Sequence, residues 1–247
     1  MEWSDFDGVL FDLDGVLTPT AEVHMHAWRT LFTDFLAERG DESGPYTDQD
    51  YFDHVDGKPR YDGVRSFLAS RGITLPDGDP TDPPDAETVC GLGNRKNSTF
   101  NQVLKADGIV AYPGSVRLLD ALREAGTAMA VVSSSRNARA VLQAAGLADR
   151  FTTVVDGEEA RRLGLPGKPA PDTFLQAARE LGVPRERAVV VEDATSGVAA
   201  GRAGDFGLVV GVDRGAGHAE LTAAGADRVV DDLAELIMDD PGEHATP

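Results

Sequence analysis

The stretch Gly8-Val9-Leu10-Phe11-Asp12-Leu13-Asp14-Gly15-Val16-Leu17-Thr18 decides how the chain is read. Four residues suited to a buried strand run into two aspartates one residue apart, then a glycine. An apolar run that ends in polar residues and Gly reads as a strand of a parallel sheet whose carboxyl end opens into a loop. In open α/β sheets that edge is where ligands bind. Two carboxylates crowded there repel each other unless a cation lies between them, and Mg2+, a hard ion that prefers oxygen ligands, is the natural candidate. A turn of Asp and Gly, or a calcium loop, is the alternative. An EF-hand loop needs Gly at its sixth position, whereas Gly15 is fourth from Asp12, which disfavours calcium of that kind. Asp5-Phe6-Asp7-Gly8-Val9-Leu10 spells nearly the same pattern earlier, but only Met1 to Ser4 precede it, too few for a strand. The second copy is the one assigned.

Downstream, Val23, Ala27, Leu31 and Phe35 recur at helical spacing beside Trp28 and Phe32, predicting a helix over 20–39 that Gly40 stops. Residues 40–60 are polar and read as loop. Helices are expected over 61–70 and 94–106, separated by a surface loop at 75–85 that carries Pro76, Pro80, Pro83 and Pro84. The pattern then changes to alternation. Strands are predicted at 128–132, 151–155, 188–191, 206–212 and 228–230. Helices are predicted around 118–122, over 137–145, 171–181 with Pro at its first turn, 195–203 and 233–238. A disordered tail is expected after Asp240. Alternating strand and helix means a doubly wound, Rossmann-like parallel α/β sheet. The helical block interrupts it after the first strand, so residues 1–19 and 108–247 are expected to form the core and 20–107 an inserted α-helical cap.

At 247 residues the chain suits one large domain or two modest ones. Its net charge of −19 argues against nucleic acid or an anionic membrane as partner; a small phosphorylated substrate needs only a local cluster of cations. Four lysines stand against 19 arginines, so each lysine is informative. The single cysteine, Cys90, excludes an intrachain disulfide and fits a reducing compartment. No run approaches the ~20 apolar residues of a membrane span, and Met1-Glu2-Trp3 does not begin a signal peptide. A cytoplasmic monomer is expected.

Polar clusters recur where strands end. After Asp12 and Asp14 comes Ser133, with Asn137 opening the next helix, where hydroxyl and backbone N–H donors can hold a phosphate. Lys168 stands in Gly167-Lys168-Pro169-Ala170-Pro171-Asp172, where two prolines hold the cation in place. Glu192-Asp193 closes another apolar strand and could complete a magnesium site with Asp12. Each has a plainer reading, as helix cap, solvated cation or strand-end polarity; their order along one sheet edge argues for a shared site. Other motifs fail. Gly91-Leu92-Gly93 lacks both a preceding strand and a third glycine, and Gly167-Lys168 carries Pro169 where a P-loop needs Ser or Thr. His24 and His26 point to different helix faces. Cys90 lies in an irregular stretch with no His nearby, and His54 and His218 read as solvated loop residues.

This order of motifs resembles the haloacid dehalogenase superfamily of phosphotransferases over nearly the whole chain. Within it the sequence is most similar to the β-phosphoglucomutase family. The matching residues are Phe11-Asp12-Leu13-Asp14-Gly15-Val16, Thr20-Ala21-Glu22, His24, Ala27-Trp28, Arg95-Lys96-Asn97, Tyr112-Pro113-Gly114, Ser133 to Asn137, Lys168 to Asp172 and Glu192-Asp193. The resemblance implies a Mg2+-dependent enzyme in which Asp12 attacks phosphorus and becomes an aspartyl phosphate, with Asp14 as general acid and base. Lys168 and Ser133 would hold the transferring phosphoryl. Asp12, the Asp14 carbonyl, Glu192 and Asp193 would place the metal. His24 would couple lid closure to Asp14. Arg60, with Ser135 and Asn137, would grip the second phosphate of a bisphosphate, and Lys96 would approach the sugar. The family's Lys-Gly-x-x-Arg segment is here Asp56-Gly57-Lys58-Pro59-Arg60, its cation displaced by two positions; Pro19 stands where an acid is frequent, and Arg136 replaces a lysine.

Three functions follow for testing: a mutase converting β-glucose 1-phosphate to glucose 6-phosphate through bound glucose 1,6-bisphosphate, a sugar-phosphate phosphatase using the same aspartates, and a catalytically silent binding protein. The set of Asp12, Asp14, Lys168 and Asp193 argues against the third.

Overall fold

The computed structural model describes residues 3–41 and 43–237; the tail expected to be disordered, and Met238 of the last predicted helix, lie outside them. Strand β1 (Gly8–Phe11) is central in a six-stranded, all-parallel sheet. With β2 (Ala128–Val132), β3 (Thr153–Val155), β4 (Ala188–Glu192), β5 (Leu208–Val212) and β6 (Arg228–Val230) the order is β3-β2-β1-β4-β5-β6. Side-chain alternation divides the apolar strands between two faces. Val9, Phe11, Val131, Val189 and Val191 pack with Leu118, Leu119, Val141 and Leu142. Leu10, Ala130, Val132 and Val190 pack with Phe174, Ala177 and Ala200. Helices α5 (Pro113–Glu124) and α6 (Ala138–Ala144) thus cover one face, and α8 (Asp172–Leu181) and α9 (Thr195–Ala203) the other. This is the doubly wound arrangement expected.

Between β1 and α5 lie α1 (Thr20–Arg39), α2 (Asp48–His54), α3 (Arg60–Ser70) and α4 (Val89–Asp107), with no strand among the described residues there. They enclose a core of their own, built from Trp28, Phe32, Phe35, Tyr46, Phe67 and Leu92 among others. The Phe32 and Phe67 rings lie 4.0 Å apart. An element with its own buried cluster, inserted after the first strand, is the helical cap of the expected fold class.

Several local expectations change. Helix α2 falls inside the stretch read as loop; Thr47 and Asp50 form a reciprocal capping box that supports its seven residues, five of them Asp, Gln or His. Helix α4 begins at Val89, capped by Thr88, whose hydroxyl accepts from the Gly91 N–H. Two glycines in its first turns are close approaches: a Cβ on Gly91 would lie 2.2 Å from the Ala86 carbonyl oxygen, and one on Gly93 2.7 Å from the Tyr61 ring. Cys90 is therefore buried in a helix. Helices α7 (Gly157–Leu163) and α10 (His218–Ala224) were not foreseen. His218 stands in α10, paired with Asp231 at 2.9 Å, and His54 ends α2. Pro171 caps α8, β3 and β5 start two residues later than predicted, and residues 233–236 form a single 3-10 turn. No helix among the described residues is long and apolar enough to cross a membrane.

Candidate active site

The assignment of the second Asp-rich copy agrees with position in the sheet. Asp7 precedes β1 and pairs with Arg187, before β4, at the amino end of the sheet, with Nε–Oδ2 2.6 Å. Asp12 and Asp14 follow β1 at the carboxyl end. The Asp12 N–H donates to the Val191 carbonyl, and the chain then folds back so that Gly15 N–H meets the Thr18 carbonyl at 2.8 Å. Gly15 adopts φ +85°, and a Cβ there would fall 1.8 Å from Asp193 Oδ2. The turn therefore brings Asp193, at the end of β4, directly against the Asp12–Asp14 loop.

Lys168 organises the floor. It is buried, its Nζ donates to Asp12 Oδ1 (2.5 Å), Glu192 Oε1 (2.6 Å) and the Val132 carbonyl (3.1 Å), and it lies over the Phe174 ring. The Lys168–Pro169 peptide is cis. Burial alone would drive off the ammonium proton, but Asp12 and Glu192 outweigh it and keep Lys168 charged. The second Glu192 oxygen accepts from the Ala194 N–H. Ser133 Oγ donates to Asp14 Oδ2 at 3.3 Å and accepts from the Ser135 N–H, while Ser135 Oγ accepts from the Asn137 N–H.

The cap closes over this floor. Thr20 donates to Asp14 Oδ1 at 2.5 Å, and His24 Nε2 stands 3.4 Å from the same oxygen without hydrogen-bond geometry. The other His24 nitrogen meets Lys96 Nζ, which lies over the Trp28 and Phe100 rings. Arg60 donates to Asn97 Oδ1 (2.7 Å) and Asn94 Oδ1 (3.4 Å), and Asn137 of the core donates to the same Asn97 oxygen at 2.7 Å. The carbonyls of Gly57 and Asp56 accept from Ser134 and Ser196. The resulting cleft is lined by every sequence-assigned residue except two: Asn137, which joins through Asn97, and Lys168, which is buried against Asp12 and Glu192. Two side chains have other work as well. Lys58 Nζ is drawn to the His54 carbonyl and Ser66, and Arg136 pairs with Glu158 of α7.

Sequence reasoning gave no role to Thr20, Asn94, Asn97, Tyr51, Asp56 or Arg214, whose Nε donates to the Gly15 carbonyl. Asn97, Asp56 and Arg214 meet partners 37, 140 and 199 positions away, and nothing local marks them. Helix α7 was detectable: Asp156 caps it, acids fill its first turn and arginines its last.

A family model described as haloacid dehalogenase-like hydrolase matches residues 6–205. The chain belongs to that family. Among haloacid dehalogenase-like proteins it is 54% identical to a β-phosphoglucomutase of Mycobacterium bovis, over 92% of this chain and 90% of the relative. A β-phosphoglucomutase structure from Clostridium difficile shares the fold, with TM-score 0.74 and 24% identity over 94% of this chain and 93% of that one. A structure of CbbY from Rhodobacter sphaeroides in complex with xylulose-(1,5)bisphosphate superposes with TM-score 0.71 and 25% identity over 94% and 96%.

The charges of this haloacid dehalogenase-like site suit a divalent cation. Lys168 serves Asp12 and Glu192, but the strongest charged neighbours of Asp193 are Asp56, Glu192, Asp12 and Asp14, all negative, and burial with them holds its carboxyl well above the usual range. Burial, against the pull of Lys168, pushes Asp12 up to about 8. Burial would also raise Asp14, but His24, Thr20 and Lys96 hold it down at about 2. Burial, then Lys96, lowers His24, leaving it neutral at pH 7. Burial, then Arg60, lowers Lys96 as well. A hard cation among these carboxylates would supply the missing charge.

A pH dependence follows for metal-free protein. The folded state keeps on Asp12 a proton that the unfolded chain releases near pH 4, so stability falls as pH rises from about 4 to 8. For Asp12 alone the slope is at most about 1.4 kcal/mol per pH unit. Asp14 acts oppositely, but only below its unfolded value, as pH falls towards 2. Thermal unfolding in chelator should therefore give a lower Tm at pH 8 than at pH 5, and excess Mg2+ should remove most of that difference. A Tm that rises with pH in chelator would contradict the charge crowding.

Proposed function

We propose that this chain is a phosphosugar mutase that converts β-glucose 1-phosphate to glucose 6-phosphate through an aspartyl phosphate on Asp12 and bound glucose 1,6-bisphosphate. The observation that carries the reading is the second polar grip across the cleft from Asp12. Arg60 of the cap and Asn137 of the core meet on one Asn97 oxygen. A guanidinium has five N–H donors; two hydrogen bonds fix Arg60, and the remaining donors can receive a non-reacting phosphate. A hydrolase needs no such second site.

In the proposed cycle the Asp14 carboxylate takes the proton of the sugar's 6-hydroxyl. That oxygen bonds to the phosphorus on Asp12 as the Asp12–phosphorus bond breaks, releasing the carboxylate and forming the bisphosphate. After the sugar reverses in the cleft, Asp12 attacks the phosphorus at the 1-position, and Asp14 returns its proton to the departing 1-oxygen. Because Asp14 starts ionised, the base step comes first and one proton serves both halves. Lys168 and Ser133 hold the transferring phosphoryl; Ser135 and Arg136 line the wall beside the second phosphate; Lys96 and His24 meet the sugar from the cap. Residues 20–107 act as the lid that excludes water during reversal. Asp12, the Asp14 carbonyl, Glu192 and Asp193 would hold Mg2+, which, when bound, offsets charge on the phosphoryl oxygens. The proposed setting is a cytoplasmic monomer.

Phosphorus NMR on β-glucose 1-phosphate with Mg2+ and a trace of bisphosphate tests this. Glucose 6-phosphate without free phosphate supports the mutase; free phosphate supports a phosphatase; no turnover removes both. The phosphatase reading has one observation in its favour: the displaced cation, Lys58, bonds within the cap rather than to a core residue. Arg60→Ala distinguishes the two. It should slow isomerisation by about 100-fold, the loss of one or two charge-assisted hydrogen bonds of about 1.5–3 kcal/mol in total, and leave aryl phosphate hydrolysis within a few-fold. Equal losses on both substrates would remove the argument for a second phosphate site.

A further inference from the structure

Asp56 is an acid of the cleft that the proposed reaction does not use. It lies between α2 and α3, in the cap, yet it meets the core at the metal-facing end. Its carbonyl accepts from Ser196 Oγ at 3.0 Å, and the next carbonyl, of Gly57, accepts from Ser134 Oγ at 2.7 Å. Gly57 has φ +68°, and a Cβ there would fall 2.3 Å from Ser196 Oγ and 2.8 Å from Ala194 Cβ. Two backbone anchors and a side-chain-free contact thus press residues 56 and 57 onto the turn that follows Asp193. Asp56 lines the same cleft as Tyr51, Asp12, Glu192 and Asp193.

Closing the cap therefore adds a carboxylate to a group of acids already short of positive charge. The cost appears on both sides of the interface. Asp56 is the strongest charged neighbour of Asp193, and burial, with Glu192 among its neighbours, pushes Asp56 itself up to about 7. A cap acid placed there opposes closure when the core carboxylates are bare and favours it when a cation lies among them.

We propose that Asp56 is a cap-borne member of the divalent-cation site: in the closed form it faces the ion alongside Asp193, so that ion binding and cap closure reinforce each other. This rests on the reading of Asp12, Glu192 and Asp193 as the ion's ligands. Reciprocity then requires the ion to promote closure by the same factor by which closure tightens the ion, and couplings of this kind are commonly 5–150-fold.

Titration calorimetry with Mg2+ alone, paired with small-angle scattering with and without Mg2+, tests it on the full chain. Wild type should bind Mg2+ and contract as it does so. Asp56→Asn, nearly isosteric, should weaken Mg2+ about tenfold and largely abolish the Mg2+-dependent contraction. Asp56→Ala should behave the same way, which guards against an effect particular to the amide. Asp193→Asn should lose Mg2+ binding altogether. A Kd within twofold of wild type in both Asp56 variants, or a contraction retained in full, overturns the inference while leaving the core metal site standing. Failure of wild type to bind Mg2+ removes the core site and the inference together.

Discussion

Asp12→Asn should abolish turnover, by at least about 10^4-fold, the scale on which removal of a covalent nucleophile is felt. The substitution keeps the size of the side chain and leaves Lys168 paired with Glu192 at 2.6 Å, so the floor of the cleft has no reason to collapse. What disappears is the oxygen that would bond to phosphorus. Folding stability should move independently. Asp12 is 6% exposed, buried with Glu192 and Asp14 as like-charged neighbours, and its carboxyl is raised to about 8. Replacing it with a neutral amide lessens that crowding, so metal-free protein at pH 8 should unfold at the same temperature or higher. Loss of activity without loss of Tm is what a residue strained for function produces. Activity near wild type would refute the nucleophile. So would a structure with a metal fluoride in which the phosphoryl mimic rests against any side chain but Asp12.

Lys168→Met should damage both quantities. The ammonium is the one cation bonded to Asp12 and Glu192 among the described residues, and all three groups are buried. Removing one partner of a buried ionic group leaves uncompensated charge, a loss of about 3–5 kcal/mol. For a chain of this size each kcal/mol is worth roughly 2–4 °C in Tm, so a fall of roughly 6–20 °C is expected at pH 8 without metal. Asp12 and Asp56 bind protons as pH falls, which should make the fall smaller at pH 5. Lys168 itself contributes nothing to that difference: its raised value keeps the ammonium charged in both conditions, and its share of stability is lost only at far higher pH. Turnover should drop by about 10^3-fold or more, since the same ammonium is placed to meet the transferring phosphoryl. An unchanged Tm at pH 8 would show that the ion pairs contribute little.

The two substitutions also separate kinds of legibility. Asp12, Ser133, Lys168 and Glu192-Asp193 were readable because each follows an apolar strand or sits between prolines, and a parallel sheet delivers its strand ends to one edge. The alternation of strand and helix after residue 108, and its absence before, similarly exposed the insertion. Where reading failed, the deciding contacts were distant. Helix α4 starts at Val89, ahead of the expected 94, because the close approaches of Ala86 and Tyr61 that require Gly91 and Gly93 cannot be seen along the chain. Helices α2 and α10 have too few apolar positions to show a period; capping and neighbouring helices support them.

By itself, then, the sequence determined the doubly wound sheet, the interrupting helices and the acids and lysine at the sheet edge, because these depend on patterns confined to one element and its ends. The tertiary structure alone decided that Asn97 joins Arg60 to Asn137 and that Asp56 comes down beside Asp193. Those contacts unite residues 37 to 140 positions apart, and their energies depend on burial and on the sum of surrounding charges, which exist only after the cap and the core have met.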